Sequence, residues 1–111
     1  MSVALPIVLV GLPGAGKSKV GRLLAGRLGV PHVDTDDLIV EREGRAISDI
    51  FATDGESAFR LMETAAVADA LSHRAVVSLG GGAAATDAVR DLLAGHIVVY
   101  IDAPHDELVR R

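Results

Sequence analysis

Gly11-Leu12-Pro13-Gly14-Ala15-Gly16-Lys17-Ser18 matches the phosphate-loop pattern G-x-x-x-x-G-K-[ST] at every fixed position. The flanks suit it. Residues 4–10, Ala-Leu-Pro-Ile-Val-Leu-Val, are short, apolar and β-branched, as a buried strand requires. Beyond the loop, Val20, Leu23, Leu24 and Leu28 recur at helical spacing and predict a helix over 17–28 with those four on its packed face. Glycines in the loop let successive N–H groups turn inward toward phosphate oxygens, and the helix adds its positive end. Lys17 supplies a mobile charge for the outer phosphates and the Ser18 hydroxyl suits Mg²⁺. The chain has nine arginines and only two lysines, Lys17 and Lys19, so lysine stands where a compact charge is wanted.

Bulk properties narrow the classes. At 111 residues the chain is one small domain or part of one, and half of its residues are apolar, enough for a packed core. A net charge of −4 with no basic cluster argues against nucleic-acid binding. There is no cysteine, hence no disulfide or thiolate metal site. Residues 1–16 carry no charge but lack the basic start of a signal peptide, and no apolar run is long enough to span a membrane. A cytoplasmic monomer with no nucleic-acid or membrane partner is expected.

Working outward, the pattern predicts strands over 5–10, 30–34, 75–79 and 97–101. Helices are expected over 17–28, 37–43, 48–52 (with Ser48 as cap), 56–71 and 86–93, with another starting near 104. Gly29 and Gly44 should end the first two. Phe59, Met62, Ala66 and Ala70 form the expected buried face of the long helix. Alternating strands and helices mean an α/β domain with a parallel sheet covered on both faces. Ligands in such folds lie beyond the carboxyl ends of the strands, which brings the loops at 11–18, 34–37 and 80–82 together.

Each of those loops has two readings. Asp34-Thr35-Asp36 can cap a helix, or can hold Mg²⁺ through water and hydrogen-bond an acceptor hydroxyl. Arg60, with Glu56 four residues before and Glu63 three after, can be a surface ion-pair ladder or a fork for a substrate carboxylate oriented by Glu63. Gly80-Gly81-Gly82 permits close approach of a ligand, and with Ala85 and Asp102 it also fits a dinucleotide fingerprint. The phosphate loop is the more specific match and occupies the first strand. A nucleotide-binding switch without an acceptor pocket is the remaining alternative. The four histidines, 32, 73, 96 and 105, lack ligand spacing and are read as surface or loop residues.

With these motifs together, the chain resembles the shikimate kinases, members of the nucleoside-monophosphate-kinase-like phosphate-loop group. The resemblance rests on GLPGAGKS with VGRLLAGRLG, DTD, DIFATDGESAFRLME and SLGGG, in order across nearly the whole chain. It implies transfer of the ATP γ-phosphoryl group to the 3-hydroxyl of shikimate, in the pathway to chorismate and the aromatic amino acids, on a three-layer α/β/α fold. It further implies that Gly14, Ala15, Gly16, Lys17, Ser18 and Lys19 wrap the ATP phosphates, with Lys17 catalytic. Ser18 and Asp34 would serve Mg²⁺. Asp36 would hold the attacking hydroxyl and accept its proton, Arg60 would bind the carboxylate, and Gly80, Gly81 and Gly82 would offer backbone contacts. Arg111 falls where adenine contacts begin, with Arg110 beside it.

Two departures from the family pattern carry expectations. Lys19 replaces the usual hydroxyl residue and, in a first helical turn, needs a nearby anion. It should tolerate or supplement nucleotide binding, so Lys19→Thr should not tighten ATP binding by about tenfold, roughly 1.4 kcal/mol. The family also continues past the position of Arg111 into a lid, a further arginine and a fifth strand. From the sequence, four strands and little or no turnover are therefore expected of these 111 residues, a single phosphate-loop kinase domain without its lid.

Overall fold

The computed structural model describes residues 4–11, 16–80 and 82–101. The expected helix near 104 and the expected roles of Gly14, Ala15, Gly81, Asp102, Arg110 and Arg111 fall outside these residues. Four strands, β1 (Ile7–Val10), β2 (His32–Asp34), β3 (Val76–Ser78) and β4 (Ile97–Tyr100), form one parallel sheet in the order β2-β3-β1-β4. Among the described residues five α-helices accompany them: α1 (Lys17–Leu28), α2 (Thr35–Glu43), α3 (Ile47–Asp54), α4 (Glu56–Leu71) and α5 (Asp87–Leu93). This is the α/β class expected.

Strand alternation sorts the core into two layers. Ile7, Leu9 and Val76 face α1, through Ala25 with Leu24 and Leu28 beside it. Val8, Val10 and Val77 face the opposite way, onto Val67 and Ala70 of α4 and Val89 of α5. A third cluster, Ile39, Ile50, Phe59 and Ala66, binds α2, α3 and α4 together beside the sheet.

The packed face of α1 differs from the expected one. Val20 and Leu23 are 38% and 60% exposed, while Gly21 and Ala25 are buried. Small residues, not large ones, let this helix approach: a Cβ at position 21 would stand 2.6 Å from His32 Nε2. His32 therefore is neither a surface nor a loop residue. It sits half-buried on β2, 2.8 Å from Ser78 Oγ, and burial, opposed by the Asp34 charge, lowers its pKa.

Two helix starts also move. α2 begins at Thr35 rather than 37, because Asp34 caps it directly: Oδ1 accepts the N–H groups of Asp36 at 2.9 Å and Asp37 at 3.2 Å. α3 begins at Ile47, with Ala46 at its cap position and Ser48 inside the first turn. Gly29 and Gly44 end α1 and α2 in the left-handed conformation, as expected. On α4 the buried set is Phe59, Glu63, Ala66, Val67 and Ala70, so Met62 is displaced to its edge. Among the described residues no helix is long and apolar enough to cross a membrane.

Candidate active site

Register places the site. Leu9 and Asp34 both pair with Ser78, so β1, β2 and β3 end side by side at the same edge of the sheet. The chain leaves β1 at Gly11, β2 at Asp34 and β3 at Leu79, and every residue of interest lies within a few positions of these exits or on α4.

On the nucleotide side, Gly16 adopts φ +85° at the start of α1, a turn open to glycine without strain. Lys17 opens the helix. Its Nζ donates to the carbonyl of Leu79 and, at 3.3 Å, to that of Gly11, tying the exits of β3 and β1 to the helix end. Ser18 is half-buried and Lys19 exposed in the same turn.

Asp36 stands in the first turn of α2, half-buried. Burial raises the pKa of its carboxyl, and the negative charges of Asp34, Glu63 and Asp37 act in the same direction, while Lys17 opposes them. Three acids and one lysine thus act on Asp36 from four elements, β2, α2, α4 and α1. Gly80 lies directly against this carboxylate: a Cβ there would overlap its oxygens. The glycine turn is therefore shaped by neighbours within the protein as well as by any ligand. Gly80→Ala should lower stability by about 2 kcal/mol, a fall of about 10 °C in melting temperature. Thermal unfolding checks this, and an unchanged melting temperature would show that the close approach is not needed.

Arg60 does form both ion pairs of a helical ladder, to Glu63 Oε1 at 2.9 Å and Glu56 Oε2 at 3.5 Å. The two partners are not alike. Glu56 is 70% exposed and Glu63 only 1%, so the Glu63 pair is a buried anchor and the Glu56 pair is surface decoration. The guanidinium also lies 5.5 Å over the Phe59 ring, and its terminal nitrogens would stand 3.1 Å from a Cβ at Gly82. Arg60, Asp36, Glu63 and Gly82 line one open pocket of about 180 Å³, completed by Ile47, Phe51 and Phe59. The tilted ring pair Phe51–Phe59, with centroids 4.7 Å apart, forms its apolar wall. Ile47 and Phe51 were not among the residues singled out from the sequence; their spacing on α3 was the available signal.

The pocket is small, lined by the Arg60 cation over the Phe59 ring and by the carboxyls of Asp36 and Glu63. Lys17 is not among its lining residues, but its charge acts on the Asp36 carboxyl. A dinucleotide is a poor fit, because the Gly80 N–H is bonded to Thr35 Oγ1 at 3.0 Å, and Ala83–Ala85 make a separate 3-10 turn before α5.

A sequence model of the family "Shikimate kinase" matches residues 13–111. The chain belongs to the shikimate kinase family. A shikimate kinase of Mycobacterium tuberculosis (strain CDC 1551 / Oshkosh) is 57% identical over 105 residues, covering 94% of this chain and 60% of the relative. The solved structure of the shikimate kinase from Acinetobacter baumannii in complex with shikimate superposes with TM-score 0.84 at 40% identity, over 95% of this chain and 60% of that one. The shikimate kinase from Aquifex aeolicus gives TM-score 0.83 at 35% identity, over 96% and 69%. The chain spans about 60% of the length of the curated shikimate kinases it matches.

Of the site residues expected from the family pattern, the structure brings Lys17, Asp34, Asp36, Arg60, Gly80 and Gly82 to one sheet edge, with Gly16, Ser18 and Lys19 beside Lys17. For two residues the structure decides between the readings the sequence left open: Asp34 caps α2, and Glu63, buried beside Arg60, orients it as well as completing the ladder.

Proposed function

We propose that the chain is a single kinase domain carrying the two-substrate site of a shikimate kinase, which moves the γ-phosphoryl group of ATP to the 3-hydroxyl of shikimate. The observation that carries this is the pocket lined by Asp36 and the Arg60–Glu63 pair, with the Asp36 carboxyl also within the field of the Lys17 charge. A switch that only binds nucleotide has no need of a charged acceptor pocket. The bound shikimate of the Acinetobacter relative supports the same substrate here.

In this reading the phosphate loop, with Gly14, Ala15, Gly16 and Lys19, wraps the phosphates and Arg111 approaches the adenine. Lys17 exchanges its backbone carbonyls for phosphate oxygens. Arg60, held by Glu63, takes the shikimate carboxylate and fixes the ring, with Gly80, Gly81 and Gly82 against it. Asp36 orients the 3-hydroxyl and accepts its proton as the new O–P bond forms and ADP departs. A carboxyl with a raised pKa is the stronger proton acceptor once ionised. Ser18 and Asp34 fit Mg²⁺, since both offer hard oxygen donors and Mg²⁺ keeps several waters of its own. When bound, the ion neutralises charge on the phosphates. Alignment and charge compensation, rather than covalent catalysis, would supply the rate. A cytoplasmic monomer is proposed.

Phosphorus NMR with the chain, ATP–Mg²⁺ and shikimate tests the reaction. Little shikimate 3-phosphate is expected from these 111 residues, formed only when shikimate is present, with gluconate left untouched. Phosphorylation of gluconate, or ATP breakdown indifferent to shikimate, would contradict it.

A further inference from the structure

The peptide group joining Leu79 to Gly80 is held at both ends. Its carbonyl accepts from Lys17 Nζ, and its N–H donates to Thr35 Oγ1 at 3.0 Å. Lys17 belongs to the nucleotide side and Thr35 to the acceptor side, 45 positions from Gly80 in the chain. Thr35 is fully buried, and its neighbour Asp36 is the residue whose carboxylate rests on Gly80. A peptide unit that precedes glycine flips more readily than others, because the glycine tolerates either orientation. Phosphates that draw Lys17 away remove one of the two holds. Thr35 is the other.

We propose that Thr35 is a positioning residue for the acceptor pocket: its hydroxyl locks the Leu79–Gly80 peptide plane, and so the glycine turn, against Asp36 and Arg60 when Lys17 engages nucleotide. This rests on the kinase reading for what the pocket binds, but the lock itself does not depend on it. The hydroxyl oxygen, not the shape of the side chain, performs the task. Serine therefore serves and valine does not. Loss of the lock leaves the phosphate loop unchanged and loosens only the turn that lines the pocket.

The test compares the parent chain with T35V and T35S by calorimetry and amide exchange, with the shikimate titrations and the exchange both run in saturating ADP–Mg²⁺ so that Lys17 is engaged. T35V should bind shikimate about tenfold more weakly and ATP–Mg²⁺ within about twofold of the parent. Its Gly80 amide should exchange at least about tenfold faster while the Val77 amide keeps its protection. T35S should restore both. A folded T35V that matches the parent in shikimate binding and Gly80 exchange overturns the proposal, as does a folded T35S that fails as T35V does. Should T35V not fold, Gly80 exchange in the parent and T35S decides: protection comparable to Val77 supports the lock, and rapid exchange in either overturns it. If the parent itself does not bind shikimate, the kinase reading fails, and the Gly80 exchange comparison still decides the role of Thr35.

Discussion

Arg60→Met should weaken shikimate binding by about 100-fold, the scale of losing a two-pronged charge-assisted contact to a carboxylate. It should also destabilise the fold by about 3 kcal/mol, because Glu63, 1% exposed, is left as an uncompensated buried charge. These two effects can be separated. Replacing a buried ion pair by apolar residues of similar size is often near neutral. The double variant Arg60→Met/Glu63→Met should therefore recover most of the stability and none of the shikimate affinity. Chemical denaturation and calorimetry on the three chains check this. Recovery of binding in the double variant would show that Arg60 acts by supporting the fold and not by touching the substrate. ATP–Mg²⁺ affinity, governed by the other half of the site, should hardly change in either chain.

Asp36→Asn should act in opposite directions on stability and on chemistry. The folded state raises the pKa of Asp36 through burial and the charges of Asp34, Glu63 and Asp37. A carboxyl whose folded pKa lies above its unfolded value binds more protons when folded. Its contribution to stability is whole below the unfolded value, about 3.9, and is lost as the pH rises through the folded pKa. Above that range the parent carries the repulsion of its acids and the asparagine variant does not. The variant should be more stable than the parent by about 1 kcal/mol at pH 7, with the difference vanishing toward pH 4. Phosphoryl transfer to shikimate should be lost, since an amide cannot accept the hydroxyl proton. Thermal melts across pH, set beside the transfer assay, check both. A variant less stable than the parent at pH 7 would mean that Lys17 attracts Asp36 more strongly than the acids repel it.

Much of this was legible before any coordinates, and the residues show why. A β-branched run, a glycine loop with Lys17 and Ser18, and an amphipathic helix are local patterns, and the strand and the helix on either side of the loop are formed as expected. The parallel sheet follows from repeating that unit. The resemblance to the family, where spacing alone left two readings, pointed to Asp36 and Arg60, and both line the same pocket. What was not legible depends on contacts between distant positions. Hydrophobic periodicity weighs Val20 and Leu23 heavily and Gly21 not at all, yet the close approach of α1 to His32 requires the glycine. Glu63 looks like any acid three residues from an arginine until α4 is packed and its carboxyl is found inside. The early start of α2 follows from the cap that Asp34 supplies, a choice between strand and helix made by one carboxylate. Nothing in the chain's local pattern links Thr35 to Gly80.

The account stands on one claim, that a nucleotide half and an acceptor half meet across the exits of β1, β2 and β3. Calorimetric titration of the folded 111-residue chain with ATP–Mg²⁺, shikimate and NAD⁺ tests it most directly. The account predicts one site each for ATP–Mg²⁺ and shikimate, shikimate binding sensitive to Arg60, and no heat from NAD⁺. NAD⁺ binding without ATP binding, or ATP–Mg²⁺ binding by a folded chain that ignores shikimate, would contradict it.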